Sequence, residues 1–241
     1  MAATPVLIGV VGDSGSGKTT ISSAIAQRLG IHEVTAICLD DYHKYDRATR
    51  KRLDITALSP ECNRLELMAD HLHAMRRGEA VTKPVYDHTD GTFGSDETIT
   101  PRAVVIARGL LGLYTPELRA AFDLTVFLAP DEALRAWWKS ERDTAKRGYT
   151  PEQVRQHIDR RQPDAEQYVR PQRRHADVVI SYSPSASGDV PLTLAVEHAR
   201  RETGGGARPQ LLDAVLAAAE RARWPFLTDV PRAVTTGGGR R

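Results

Sequence analysis

Residues Gly12–Thr19 read Gly-Asp-Ser-Gly-Ser-Gly-Lys-Thr, and few segments of this length restrict a fold so tightly. An apolar run, Val6–Val11, precedes them, and an apolar pattern of helical spacing follows and ends at Gly30. A strand, a glycine-rich turn and a helix in this order form a loop whose backbone amides point at an anion. The segment therefore predicts a phosphate-binding loop in an α/β fold.

Loops with this spacing bind the phosphates of a nucleoside triphosphate, and we expect Mg-ATP here. The Lys18 ammonium can reach the outer phosphates, and the Thr19 hydroxyl suits Mg²⁺. The predicted nucleotide contacts are the loop residues and the one after them: Gly12, Asp13, Ser14, Gly15, Ser16, Gly17, Lys18, Thr19 and Thr20.

Four more apolar runs are predicted strands, and helical patterns lie between them: Val34–Leu39, Ala103–Ile106, Leu124–Leu128 and Asp177–Ser181. This alternation predicts a P-loop NTPase-type three-layer sandwich, with a mostly parallel sheet flanked by helices, over residues 1–183. Two charged helical patterns, Asp131–Lys146 and Pro151–Arg161, form a candidate lid at about 131–161.

Residues 184–241 have a different character and are expected to form a partly helical extension. Linker-like runs occur near Ser183 and at Gly204–Gly206. Helices are predicted at Leu192–Arg201 and Gln210–Arg223, and the second has the more regular apolar spacing. The last residues, from Thr235, are Gly- and Arg-rich and are expected to be frayed.

Composition narrows the class of protein. The formal net charge is only +2, so a general nucleic-acid-binding surface is not indicated. No apolar run approaches the roughly 18 residues of a membrane span, and the N-terminal residues lack the basic segment of a signal peptide. Two cysteines, Cys38 and Cys62, do not make a disulfide framework. We expect a cytoplasmic protein with a small-molecule substrate and no nucleic-acid or membrane partner.

A charged segment that begins with Asp40 follows the second predicted strand directly. Ligands of open parallel sheets bind beyond the carboxyl ends of the strands, so this segment should lie beside the phosphate loop. A carboxylate there can take a proton from an attacking hydroxyl, and we expect Asp40 to have this role. The residues after it add positive charge that suits a phosphorylated acceptor: His43, Lys44, Arg47, Arg50, Lys51 and Arg52.

A collinear series of segments resembles the phosphoribulokinase/uridine kinase family, and its phosphoribulokinase branch in particular. The segments are Gly12–Thr19, Ile37–His43, Thr56–Pro60, Lys83–His88, Trp138–Gly148, Pro171–Gln172 and Ala176–Val179. The resemblance covers residues 6 to about 182. It implies phosphoryl transfer from ATP to a sugar phosphate, which in that branch converts ribulose 5-phosphate to ribulose 1,5-bisphosphate.

The resemblance also implies roles for single residues. Asp40 matches the catalytic base, Lys18 the catalytic lysine of the loop, and Asp143 a second active-site carboxylate that, with Thr19, would hold Mg²⁺. The implied acceptor contacts are His43, Arg47, Arg50, Tyr86, His88, Lys139, Arg142 and Arg147. The last three belong to the cationic lid, where Lys and Arg can stabilise charge on the transferred phosphoryl group.

The sequence departs from the family at Arg108, where a carboxylate near the metal is common. An arginine cannot ligate a cation. Either Asp41 or Asp143 supports the metal instead, or Arg108 contacts phosphate directly, or the activity is weakened. Residues 184–241 also match no family pattern, which leaves allosteric control and oligomeric state open, homo-oligomers included.

Two alternatives to a sugar-phosphate kinase stay open. A uridine/cytidine kinase or another small-metabolite kinase has the same fold, but a nucleoside carries no phosphate to attract the cations after Asp40. A non-catalytic, nucleotide-binding regulatory protein would account for Arg108, although intact Lys18, Asp40 and Asp143 argue against it.

Overall fold

The computed structural model describes residues 4–185, 192–197 and 208–224. Within these residues the strands are β1 (Val6–Gly12), β2 (Val34–Cys38), β3 (Val81–Lys83), β4 (Glu97–Ile99), β5 (Val104–Gly109), β6 (Leu124–Leu128), β7 (Val178–Pro184) and β8 (Leu192–Glu197). The α-helices are α1 (Lys18–Leu29), α2 (Arg47–Arg52), α3 (Leu65–Arg76), α4 (Pro116–Ala120), α5 (Glu132–Arg147), α6 (Pro151–Asp164) and α7 (Arg208–Glu220).

Six strands form one sheet in the order β2-β5-β1-β6-β7-β8, and β1 is near its centre. The first five are parallel, and β8 pairs with β7 in the antiparallel sense. Val11, near the end of β1, lies in register with Gly109 of β5 and Phe127 of β6. The carboxyl ends of these strands therefore meet at one edge, where the sequence predicts the ligands to bind.

Helices cover both faces of the sheet, which confirms the three-layer architecture. Leu7 and Val11 of β1 face a buried cluster that includes Leu72 of α3. Ile8 and Val10 point to the opposite face and share a cluster with residues of α1 and α7. Alternate residues of β1 thus pack on opposite layers, as the side-chain period of a strand requires.

The helix predicted at Leu192–Arg201 is wrong over its first six residues, which form β8. Leu192 and Leu194 pack against the core while Thr193 and Ala195 face solvent, so the apolar period is that of a strand. The remainder of that prediction lies outside the described residues, as do the Gly204–Gly206 linker and the end from Thr235.

The second predicted helix of the extension is confirmed as α7, which packs on α1. Both β8 and α7 therefore extend the layers of the sandwich. The domain division at residue 184 stays a prediction.

The two charged helices predicted at Asp131–Lys146 and Pro151–Arg161 are confirmed as α5 and α6, and their role as a lid stays a prediction. The Asp131 carboxylate caps α5 by accepting from the amides of Ala133 and Leu134, and Gly148 ends the helix in the left-handed region, with φ of 67°. Thr150 and Gln153 form a capping box at the start of α6.

Two elements near the site were not predicted from the sequence. They are the short helix α2 and the β3–β4 hairpin, which lies apart from the main sheet. Both are too short to show a periodic pattern. None of the helices in the described part of the chain is long and apolar enough to cross a membrane.

Candidate active site

The phosphate loop turns between β1 and α1, with Lys18 as the first residue of the helix. Gly15 and Gly17 have φ of 87° and 88°, in the region that favours glycine. A Cβ on Gly15 would lie 2.9 Å from Cβ of Lys139 and 3.0 Å from the carbonyl oxygen of Arg135, both on α5. The glycine therefore allows α5 to approach the loop closely.

The polar groups of the loop fit a polyphosphate. Lys18 Nζ donates to the carbonyl oxygens of Gly12 at 2.8 Å and Asp13 at 2.9 Å, so the ammonium lies across the loop. Burial lowers the pKa of Lys18. The Ser16 hydroxyl is buried and has no hydrogen-bond partner within the described residues. A bound anion would compensate both groups.

The loop opens into a cavity of about 420 Å³, large enough for a small-molecule ligand. Its lining is strongly positive, with eight cationic side chains: Lys18, Arg47, Arg50, Arg108, Arg142, Lys146, Arg147 and Arg161. Asp40 is the one carboxylate among the lining residues that the structure describes. This excess of positive charge favours a polyanionic ligand. Asp40 is then a proton acceptor that lies among the cations of the cavity.

Asp40 lies in a single 3₁₀ turn directly after β2. Its Oδ1 accepts from the Leu110 amide at 2.8 Å, and its Oδ2 has no partner among the described residues. Gln172 holds the loop that carries Leu110, because its Nε2 donates to the Leu110 carbonyl and its Oε1 accepts from the Leu113 amide, both at 2.8 Å. One Asp40 oxygen is thus fixed and the other is available.

Asp41, the next carboxylate, is outside the cavity lining. Its oxygens pair with Lys83 Nζ at 2.5 Å and with His88 Nε2 at 3.3 Å. Burial alone would raise the pKa of Asp41, but hydrogen bonds from His88 and Lys83 hold it below its usual value. Asp41 therefore anchors the Lys83–His88 segment, and its ion pairs leave it poorly placed to replace the carboxylate missing at Arg108.

Four of the predicted acceptor contacts line the same cavity as Asp40: Arg47, Arg50, Tyr86 and His88. The Arg50 guanidinium is buried and donates to Tyr86 Oη at 2.5 Å. Arg47 donates to the carbonyl oxygens of Thr89 and His88. These bonds fix the orientation of two cations before any ligand arrives.

His43 also lines the cavity but carries no positive charge near pH 7, contrary to the expectation from sequence. Burial, aided by the Arg50 guanidinium, lowers the pKa of His43 to about 4. Its Nδ1 lies 2.9 Å from Oδ1 of Asn63, whose amide nitrogen donates elsewhere, so the ring donates through Nδ1. His43 can therefore offer a ligand a neutral Nε2 acceptor.

The predicted site residues of α5 divide into two groups. Arg142 and Arg147 line the cavity, together with Lys146 and Arg161, which were not predicted as site residues. Lys139 and Asp143 do not line it.

The Asp143 carboxylate is 1% exposed and accepts from Lys139 at 2.5 Å and from Arg142 at 2.8 Å, with Arg147 at 3.2 Å. Burial opposes its ionisation, but hydrogen bonds from Arg142 and charge from Lys139 lower the pKa of Asp143 to about 2. The catalytic and metal roles predicted for Asp143, and acceptor binding by Lys139, stay predictions, because reaching the cavity requires exchange of these ion pairs.

Arg135 is a further residue that sequence reasoning missed. It is buried, donates to the Ser14 carbonyl oxygen at 2.7 Å and lies 3.7 Å from the Asp13 carboxylate. It therefore ties α5 to the phosphate loop. Its spacing of four residues before Lys139, on the same helix face, was the available signal.

A metal ion has two candidate positions near the cavity. The ligand atoms of Cys38, Asp41 and His88 lie within 4.8 Å of one another, but the Lys83 ammonium already occupies Asp41. Thr19, which lines the cavity beside the loop, fits Mg²⁺ better, because Mg²⁺ prefers oxygen and usually keeps waters and phosphate oxygens as its other ligands.

Arg108 lies in the cavity wall, in register with Cys38 of β2. Its side chain makes no hydrogen bond or ion pair with any other residue that the structure describes. Its guanidinium is thus available to an anionic ligand at the end of β5.

Comparisons with known proteins identify the family of this chain. A sequence model of the phosphoribulokinase/uridine kinase family matches residues 7–187. The chain belongs to this family. A phosphoribulokinase of Synechocystis is 41% identical over 75% of this chain and 54% of its own. A uridine kinase of Deinococcus deserti is 35% identical over 74% of this chain and 88% of its own.

The family fold is confirmed by a solved phosphoribulokinase from Rhodobacter spheroides, which superposes with a TM-score of 0.65. It is 22% identical, and the match covers 87% of this chain and 85% of that one. The chain spans about half the length of the curated phosphoribulokinases that it matches.

Proposed function

We propose that this protein is an ATP-dependent kinase that phosphorylates a sugar phosphate, with ribulose 5-phosphate as acceptor and ribulose 1,5-bisphosphate as product. The observation that carries the proposal is the charge of the cavity: Asp40 is surrounded by more cations than the phosphates of one nucleotide need. Arg47 and Arg50, held in place beside Asp40, suit a phosphate on the acceptor.

In this reaction Asp40 Oδ2 accepts the proton of the attacking hydroxyl while Oδ1 stays bonded to the Leu110 amide. Lys18 turns from the loop carbonyls to the outer phosphates. Arg142 and Arg147 lie on the lid helix and offset charge on the transferred phosphoryl group. Thr19 would be among the ligands of Mg²⁺, which would supply positive charge to offset that of the outer phosphates.

A uridine or cytidine kinase is the second candidate, because the family includes uridine kinases and the Deinococcus deserti enzyme is 35% identical over 74% of this chain. The two functions differ in the acceptor. We therefore suggest incubating the protein with Mg-ATP and, separately, ribulose 5-phosphate, uridine, cytidine and other sugar phosphates, while ADP release is followed. Release with a nucleoside but not with ribulose 5-phosphate would contradict the proposal.

Arg108 is proposed to bind acceptor phosphate. We expect Arg108→Ala to raise KM for the sugar phosphate about ten-fold or more, since a charge-assisted hydrogen bond is lost. The Mg²⁺ dependence should stay near that of the wild type. Arg102→Ala is the matched control, because Arg102 is exposed and bonds to backbone carbonyls outside the cavity. A changed Mg²⁺ requirement with an unchanged acceptor KM would instead place Arg108 at the metal.

A further inference from the structure

Trp224 lies beside the phosphate loop. Helix α7 packs on α1, and Trp224 follows a few residues later and lines the cavity. Its six-membered ring touches Gly17, where an added Cβ would lie 2.2 Å from Cζ3 of the indole. Any side chain at position 17 would collide with this ring, so the loop glycine and the indole are packed as a pair.

Two aromatic residues of the fold hold this indole. Trp138 of α5 stacks on it with ring centroids 4.6 Å apart and planes 2° from parallel. Tyr182 of β7 meets it at a steep angle, with centroids 4.4 Å apart. Trp224 remains partly exposed, at the cavity, while Trp138 is buried. The arrangement presents a preformed aromatic surface beside the loop.

The sheet order decides which part of a nucleotide this surface can meet. Asp40 follows β2, and Arg108 lies near the end of β5, both on one side of β1 and its phosphate loop. Trp138 and Tyr182 belong to α5, which follows β6, and to β7, on the other side. With its phosphates on the loop and its outer phosphate towards Asp40, a nucleotide extends its base towards the two indoles.

We infer that Trp224 stacks on the base of the nucleotide donor. Trp138 is a positioning residue that holds the Trp224 indole in its orientation. The inference rests on the proposed use of a nucleoside triphosphate. It gives the extension beyond residue 184 a role in the site, because that part of the chain supplies one wall of the base-binding region. Bases stack well on indole rings, with little dependence on base identity, so ATP and GTP should both gain from the contact.

The test separates the base from the phosphates. Binding of ATP and of inorganic tripolyphosphate is measured by calorimetry for the full chain, for Trp224→Ala and for Trp137→Ala. Trp137 is the matched control, since it packs on the core next to Trp138 but does not line the cavity. We expect Trp224→Ala to weaken ATP about ten-fold or more and to leave tripolyphosphate unchanged. Trp137→Ala should change neither Kd.

Trp224→Phe keeps an aromatic ring and should lose less ATP affinity than Trp224→Ala. This second variant keeps the inference testable if Trp224→Ala does not fold. Unchanged or tighter ATP binding by a folded Trp224→Ala would overturn the inference, and tighter binding would show that the indole blocks the base. Equal affinity of the wild type for ATP and tripolyphosphate would overturn it as well. A wild type that binds neither compound would overturn the proposed function together with this inference.

Discussion

Asp40→Asn is expected to lower kcat by roughly 100- to 10,000-fold, which is the range for loss of a general base. The Kd for ATP should stay near the wild-type value, because Asp40 lies on the acceptor side of the loop. Asparagine keeps an oxygen that can accept from the Leu110 amide, so the loop geometry should persist. Only the proton acceptor at Oδ2 is lost.

Steady-state kinetics with calorimetric ATP binding checks this result. Asp54→Asn serves as the control, since Asp54 is exposed and pairs with Arg160 away from the cavity. Near-normal turnover by Asp40→Asn would remove Asp40 from the base role. A parallel loss of ATP affinity would show instead that the carboxylate organises the loop.

The sequence predicts the part of the site that depends on short, local patterns. The phosphate loop requires its glycines at fixed positions, and the strand ends place Lys18, Asp40 and Arg50 around one cavity, as expected for a parallel sheet. Local patterns also predict α5 and α6, because the caps and charged faces of these helices are formed by residues close together in the sequence.

Helical spacing could not show which side of α5 faces the cavity. Lys139 and Arg142 are three residues apart and were expected to act together. In the structure Trp138 is buried on the same helix, and Lys139 turns into the protein to pair with Asp143, whereas Arg142 reaches the cavity. Burial of a charged side chain depends on its partner, which a periodic pattern does not show.

Contacts between distant parts of the chain also could not be predicted from the sequence. Trp224 meets Gly17 only because α7 packs on α1, and no local motif records that packing. The error at Leu192–Glu197 has a related cause: a six-residue apolar pattern fits either period, and pairing with β7 decides between them.

Asp143→Asn is expected to lower the free energy of unfolding by about 3 to 5 kcal/mol at pH 7, because it leaves a buried charge without its partner. The Lys139 side chain is 2% exposed, and Asp143 is its counter-ion. Arg142 and Arg147 lose the same anchor, so kcat should fall as well. Lys139→Met combined with Asp143→Asn removes the unpaired ammonium and should restore most of the stability.

The pH dependence of this loss identifies Lys139 as its source. Burial, with the nearby Arg161 charge, already lowers the pKa of Lys139 to about 8, and removal of Asp143 lowers it further. Up to about pH 8 the folded wild type keeps the Lys139 proton, whereas folded Asp143→Asn loses it at lower pH and both unfolded chains keep it. The stability of Asp143→Asn relative to the wild type therefore rises with pH up to about 8 and is level above it. Urea unfolding should therefore show a smaller deficit at pH 9 than at pH 7. A stability deficit that is independent of pH would contradict the role of the buried ion pair. Recovery of turnover at high Mg²⁺ would instead support the predicted role of Asp143 as a metal ligand.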